Sequence, residues 1–98
     1  MRAWVLHSVG DIRYEEVKLP APEPGEALIR VEAAGVCGSD IPRIYHTGAH
    51  RMPLIPGHEF SGVVDTVGSG VDKRWQGSRV GVFPLIPCRK CGPCKSGH

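Results

Sequence analysis

The chain has 98 residues and a mass of 10.6 kDa, with 41% apolar and 22% charged side chains, which confines it to one small domain or a piece of a larger one. Twelve Lys and Arg against ten Asp and Glu leave a net charge of +2, too weak a field to expect nucleic acid as a partner. No run approaches the roughly 20 apolar residues that span a bilayer, and Met1-Arg2-Ala3-Trp4 leads into alternation rather than an apolar signal core, so a cytoplasmic location without a membrane partner is expected.

Thirteen Gly and nine Pro, scattered rather than repeated, predict short strands joined by many turns, a mainly β fold. Residues alternate from Arg2 to His7 and from Ile12 to Val17, and Ser8-Val9-Gly10-Asp11 between them carries turn chemistry, so the chain opens with a hairpin. Leu19-Pro20-Ala21-Pro22-Glu23-Pro24-Gly25 lacks ladder donors at three positions and is read as an irregular connection. Glu26 to Ala34 follows as a half-buried strand with Ala27, Ile29, Val31 and Ala33 on its apolar face. Ser39 or Asp40 can then cap a short helix through about Tyr45, with Pro42 tolerated in its first turn. Thr47 to Gly57 reads as a loop, Glu59 to Val67 as a strand ended by Gly68-Ser69-Gly70, and Arg79 to Phe83 as another. Pro84 to His98 has too few apolar residues to hold itself together by packing.

That last stretch holds Cys88-Arg89-Lys90-Cys91-Gly92-Pro93-Cys94, three thiols spaced so that a tight turn converges them on one ion. In an untargeted chain, four cysteines suit metal ligation or reduced thiols better than disulfides. A structural zinc takes four ligands; His98 offers a fourth, or the fourth lies beyond the chain. The same spacing opens a bacterial iron–sulfur motif, but the position of its fourth Cys is His98 here.

Cys37, placed after a strand and before Gly38-Ser39-Asp40, and His58-Glu59, placed before another strand, are weak signals when taken singly. Together with their surroundings they are not. Gly57-His58-Glu59-Phe60-Ser61-Gly62, followed by Gly68 and Val71, reproduces the pattern Gly-His-Glu-x2-Gly-x5-Gly-x2-Val and resembles the zinc-dependent medium-chain alcohol dehydrogenases. Val36-Cys37-Gly38-Ser39-Asp40 resembles that family's first zinc-ligand segment, and Cys88, Cys91 and Cys94 resemble its structural-zinc lobe. Ile41-Pro42-Arg43-Ile44, Gly48-Ala49-His50 and Leu85-Ile86-Pro87-Cys88 are most similar to its polyol dehydrogenases, above all those acting on galactitol 1-phosphate.

The resemblance implies a GroES-like β-barrel spanning residues 1–98, with a short helix and a Cys-rich zinc lobe from about residue 84. It implies the N-terminal portion of a catalytic domain, with the Rossmann domain that binds NAD absent from these residues. Cys37 and His58 would be ligands of a catalytic zinc whose open position takes a secondary alcohol, with Glu59 a direct or water-mediated ligand, and Cys88, Cys91 and Cys94 ligands of a structural one. Ser39 matches the hydroxyl that relays the alcohol proton, with helix capping as the rival use for it. The next relay position is Pro42, which cannot carry a proton. Arg43 stands where polyol dehydrogenases often have an aromatic residue, and it would suit a phosphorylated substrate unless it is an ordinary surface arginine. The expected parent is a homo-oligomeric enzyme that turns a polyol or polyol phosphate into a ketone with NAD, and the 98 residues alone are expected to be inactive. Two rivals are a stand-alone GroES-like co-chaperonin, which leaves the Gly-His-Glu signature unexplained, and a small zinc-binding interaction module, which explains the tail alone.

Overall fold

In the computed structural model, which describes residues 1–97, Ser8 lies opposite Asp11 and the chain reverses over Val9-Gly10. Gly10 takes the left-handed angle φ 76° that such a reversal needs and that a side chain would resist. The hairpin so formed joins β1 (Arg2–Ser8) to β2 (Asp11–Glu16), as the alternation predicts. On its outer side Trp4 lies directly across from Tyr14 with ring centres 5.2 Å apart, and the Arg2 guanidinium lies 4.9 Å from the Tyr14 ring centre. Val5 and Leu6 are buried, and Leu6 exchanges backbone hydrogen bonds of 2.8 and 3.1 Å with Leu54, tying the hairpin to the loop that leads into the candidate site.

Three further antiparallel strands, β3 (Ala27–Ala34), β4 (Phe60–Val67) and β5 (Arg79–Gly81), form a second sheet with β4 in the middle. Two glycines of the sequence signature explain themselves here by close approach. A Cβ on Gly62 would run into the Arg30 carbonyl of β3 and lie 3.0 Å from Ile29 Cγ2, and one on Gly68 would strike the Glu23 carbonyl. The expected helix begins at Asp40 but is α-helical only as α1 (Asp40–Pro42), then widens into an i to i+5 turn over Arg43–Thr47 that the Thr47 hydroxyl braces by donating to the Pro42 carbonyl at 3.2 Å. The strand expected over Arg79 to Phe83 ends at Gly81, although the Val82 N–H still donates to the Phe60 carbonyl at 3.1 Å.

The apolar face expected along β3 is only partly covered. Register shifts after Leu28 and after Val31 break the strict alternation, so Ile29 is half-buried while Val31 and Ala33 are exposed. More generally the core is small: among the described residues the buried apolar side chains are Val5, Leu6, Ile44 and Val64. The accessible surface is 7573 Å², against about 5,500 Å² for a closed monomer of this mass. The radius of gyration is 15.6 Å, against about 13 Å for a compact chain of this length. The molecule is therefore an open shell. Ala27, Ile29, Val64, Trp75, Val80 and Phe83 border an apolar cleft of about 400 Å³ on its three-stranded sheet.

Candidate metal centres

Where β3 ends, the Gly35 N–H donates to the Glu59 carbonyl at 2.7 Å, which closes the end of one strand onto the segment before the next. That link extends the β3–β4 ladder beyond Ala34 and Phe60, and together they carry Cys37 and His58-Glu59, 21 residues apart in number, to the same place. The Cys37 sulfur, a His58 ring nitrogen and a Glu59 carboxylate oxygen lie within 4.8 Å of one another. Cys37 and His58 are half-buried and Glu59 is exposed, so the trio has a walled side and an open side.

Beneath it lies Asp40, the one buried charged side chain among the described residues, 3% exposed. Its Oδ2 accepts the Cys37 N–H at 3.0 Å, while its Oδ1 lies 3.6 Å from His58 Nδ1 and accepts Arg43 Nη1 at 3.4 Å. At 3.6 Å this is a charge contact rather than a hydrogen bond, and a carboxylate beside Nδ1 favours the tautomer that keeps the proton there and presents the Nε2 lone pair. From the sequence Asp40 reads as a helix cap. The missed signal was an acidic residue three places after a candidate ligand, able to fold back onto that ligand's own N–H. Ser39 occupies the capping position but forms no side-chain capping bond, so its exposed hydroxyl is not committed to that use. Arg43 is engaged by Asp40 with 38% of its side chain exposed.

The second cluster is local. Cys88 Sγ lies 3.7 Å from Cys94 Sγ and accepts the Cys91 N–H at 3.4 Å, and the three sulfurs lie within 4.8 Å of one another. Arg89, at φ 58°, supplies the left-handed residue of the first tight turn, and Cys94 is carried on the short helix α2 (Gly92–Ser96). The Cys88 thiol is pushed down to about 6, chiefly by the Lys90 backbone N–H and then by that of Cys91, with the two neighbouring thiols adding to it. Tetrahedral zinc with bonds of about 2.3 Å places its sulfurs about 3.8 Å apart, so the spacing of Cys88 and Cys94 fits that ion. It does not fit a disulfide, and all four cysteines are free. The fourth ligand offered by His98 lies outside the described residues.

Apolar side chains do little to hold this lobe: Leu85 is 68% and Ile86 95% exposed. Removing metal with a chelator should therefore abolish amide protection over residues 88–96 while leaving the β1–β2 and β3–β4 ladders protected. Hydrogen exchange followed by mass spectrometry checks this, and equal loss in all three regions would contradict it.

The model of the alcohol dehydrogenase GroES-like domain matches residues 23–98. Galactitol 1-phosphate 5-dehydrogenase of Escherichia coli K12 is 42% identical over 98 residues, covering 99% of this chain and 28% of the relative. Among solved structures, a short chain alcohol dehydrogenase from E. coli CFT073 complexed with NADH superimposes with a TM-score of 0.88 at 39% identity over 99% of this chain. A cobalt- and zinc-bound thermostable alcohol dehydrogenase from Pyrobaculum aerophilum does so with the same score and identity. The chain spans 28% of the first of these structures and 30% of the second. Among the described residues no helix is long and apolar enough to cross a membrane. On the match over residues 23–98, the chain belongs to the alcohol dehydrogenase GroES-like domain family.

Proposed function

We propose that residues 1–98 serve as the N-terminal catalytic-domain portion of a zinc-dependent oxidoreductase that oxidises a secondary alcohol of a polyol or polyol phosphate to a ketone with NAD. The observation that carries this reading is the convergence of Cys37, His58 and Glu59 within 4.8 Å, half-walled and backed by a buried carboxylate. A thiolate, an imidazole and a carboxylate are a zinc donor set, and an open side suits a catalytic rather than a structural centre. A zinc ion held there supplies Lewis acidity toward an alcohol oxygen. Ser39, two residues from Cys37 and uncapped, is the group offered for passing the alcohol proton outward. The similarity to the galactitol 1-phosphate enzyme and the NADH-bound neighbour supports the substrate class and the cofactor. The lobe from about residue 84 takes the structural zinc. Free thiols throughout suit a cytoplasmic setting. Since these residues carry no dinucleotide fingerprint, the 98-residue chain alone is proposed to be inactive.

Elemental analysis of the purified chain tests the metal assignment. Cys37→Ser should remove one class of bound zinc and Cys91→Ser the other. Zinc content indifferent to Cys37→Ser would sink the catalytic centre and leave the tail site alone. The remaining donors of the Arg43 guanidinium are offered to a substrate phosphate. In the intact enzyme, Arg43→Ala should raise KM for a polyol phosphate by about tenfold more than KM for the unphosphorylated polyol, as expected when one charge-assisted hydrogen bond of about 1.4 kcal/mol is lost. An equal change for both substrates would remove Arg43 from phosphate recognition.

A further inference from the structure

We propose that Arg43 is a positioning residue for the Cys37, His58 and Glu59 centre, acting through Asp40 whatever it does for a substrate. The proposal rests on reading that trio as a metal centre, and it adds the strut that holds the trio in shape. Asp40 is 3% exposed, and a carboxylate so buried needs compensation in charge as well as in hydrogen bonds. Its contacts are divided by oxygen: Oδ2 accepts the Cys37 N–H at 3.0 Å, while Oδ1 accepts Arg43 Nη1 at 3.4 Å and faces His58 Nδ1 across 3.6 Å, a charge contact rather than a hydrogen bond. An imidazole that ligates a metal is neutral and a backbone N–H carries no net charge, so the permanent cation in this set is the guanidinium.

The geometry makes the three contacts interdependent. Turning the carboxylate toward any one partner lengthens its contacts to the others, so Arg43 helps set the orientation in which Asp40 faces His58. Arg43 in turn stands on firm ground. It opens the widened turn Arg43–Thr47, and its neighbour Ile44 is buried with its carbonyl accepting the Gly10 N–H at 2.8 Å. The hairpin β1–β2 thereby sets where Arg43 lies, Arg43 sets Asp40, and Asp40 sets the backbone of one candidate ligand and the ring of another.

The test uses the full 98-residue chain carrying Cys91→Ser, so that cobalt(II) reports chiefly on the Cys37 centre, with Arg43→Ala and Arg43→Lys compared on that background. Arg43→Ala should weaken cobalt binding by about tenfold, the lower end of what loss of an outer hydrogen-bond partner costs a metal site. In the metal-free chain, nitrogen NMR should show His58 with its proton held on Nδ1, passing to a mixture of tautomers in Arg43→Ala. Arg43→Lys, which keeps the charge, should restore most of both signals. Unchanged cobalt affinity and unchanged tautomer in Arg43→Ala would overturn the proposal, and so would equal losses in Ala and Lys, which would mark Arg43 as packing only. Failure of the underlying metal reading shows separately, as cobalt binding indifferent to Cys37→Ser, and the metal-free tautomer then decides on the strut by itself. Backbone amide spectra of β1 and β2 confirm that each variant is folded.

Discussion

Asp40→Ala should weaken zinc at the Cys37 centre by roughly ten- to a hundredfold and lower folding stability by about 2 kcal/mol. Both effects come from one group. The buried carboxylate leaves, the Cys37 N–H and the Arg43 guanidinium lose their acceptor, and His58 Nδ1 loses the charge beside it. Competition against a chromophoric chelator measures the first effect and urea unfolding the second. Asp40→Asn separates them: an amide oxygen can still accept the Cys37 N–H, so stability should recover more fully than metal affinity, because the charge facing Arg43 is gone. If Asp40→Ala and Asp40→Asn bind zinc as tightly as the parent, the buried carboxylate has no part in the centre.

Gly62→Ala should be among the most damaging single-methyl changes in the chain, costing about 3 kcal/mol. The reason is contact rather than backbone angle. Gly62 sits on the central strand of the second sheet, and an added Cβ meets the Arg30 carbonyl group and the Ile29 side chain on the adjacent strand, so β3 and β4 must part. Gly81→Ala is the matched comparison. It lies on the neighbouring strand β5, where an added Cβ meets nothing within 4 Å, and its replacement should change the thermal midpoint little. Because β3 and β4 also deliver Cys37 and His58 to one place, Gly62→Ala should lower zinc affinity at that centre as well as stability. Equal effects of the two substitutions on the melting curve would contradict the packing argument.

These two residues also show how far the sequence could be read. Gly62 stood out as a signature position, but a glycine's own neighbours in the chain do not reveal whose carbonyl will press against it. That depends on the pairing of β3 with β4, which links Val31 to Gly62 across 31 positions. Asp40 looked like a capping residue for the same reason. Ser, Asp and Asn at a helix start are satisfied in most settings by local backbone, and only the arrival of His58 and the return of Arg43 turn this carboxylate into a shared partner. The expectation that β3 would bury its apolar face met a tertiary obstacle of another kind. Alternation tells which side chains share a face, whereas two register shifts and an open cleft decide whether anything covers it.

What the sequence determined by itself is whatever is settled within a few residues. The hairpin and its Gly10 reversal, the Pro-rich connection, the strand at residues 60–67 and the three-thiol tail all follow from turn chemistry, alternation or spacing over short stretches. The Cys88, Cys91 and Cys94 cluster is the clearest case, because two tight turns bring its sulfurs together without help from the rest of the chain. The resemblance to the alcohol dehydrogenases implied a common site for Cys37, His58 and Glu59, but only the tertiary structure decided that Asp40 lies buried beneath them and that Arg43 turns inward to it. The physical reason is the range of the forces involved. Turn and strand preferences act between neighbours, whereas a buried carboxylate or a closely packed glycine takes its meaning from partners that the folding of two sheets brings near.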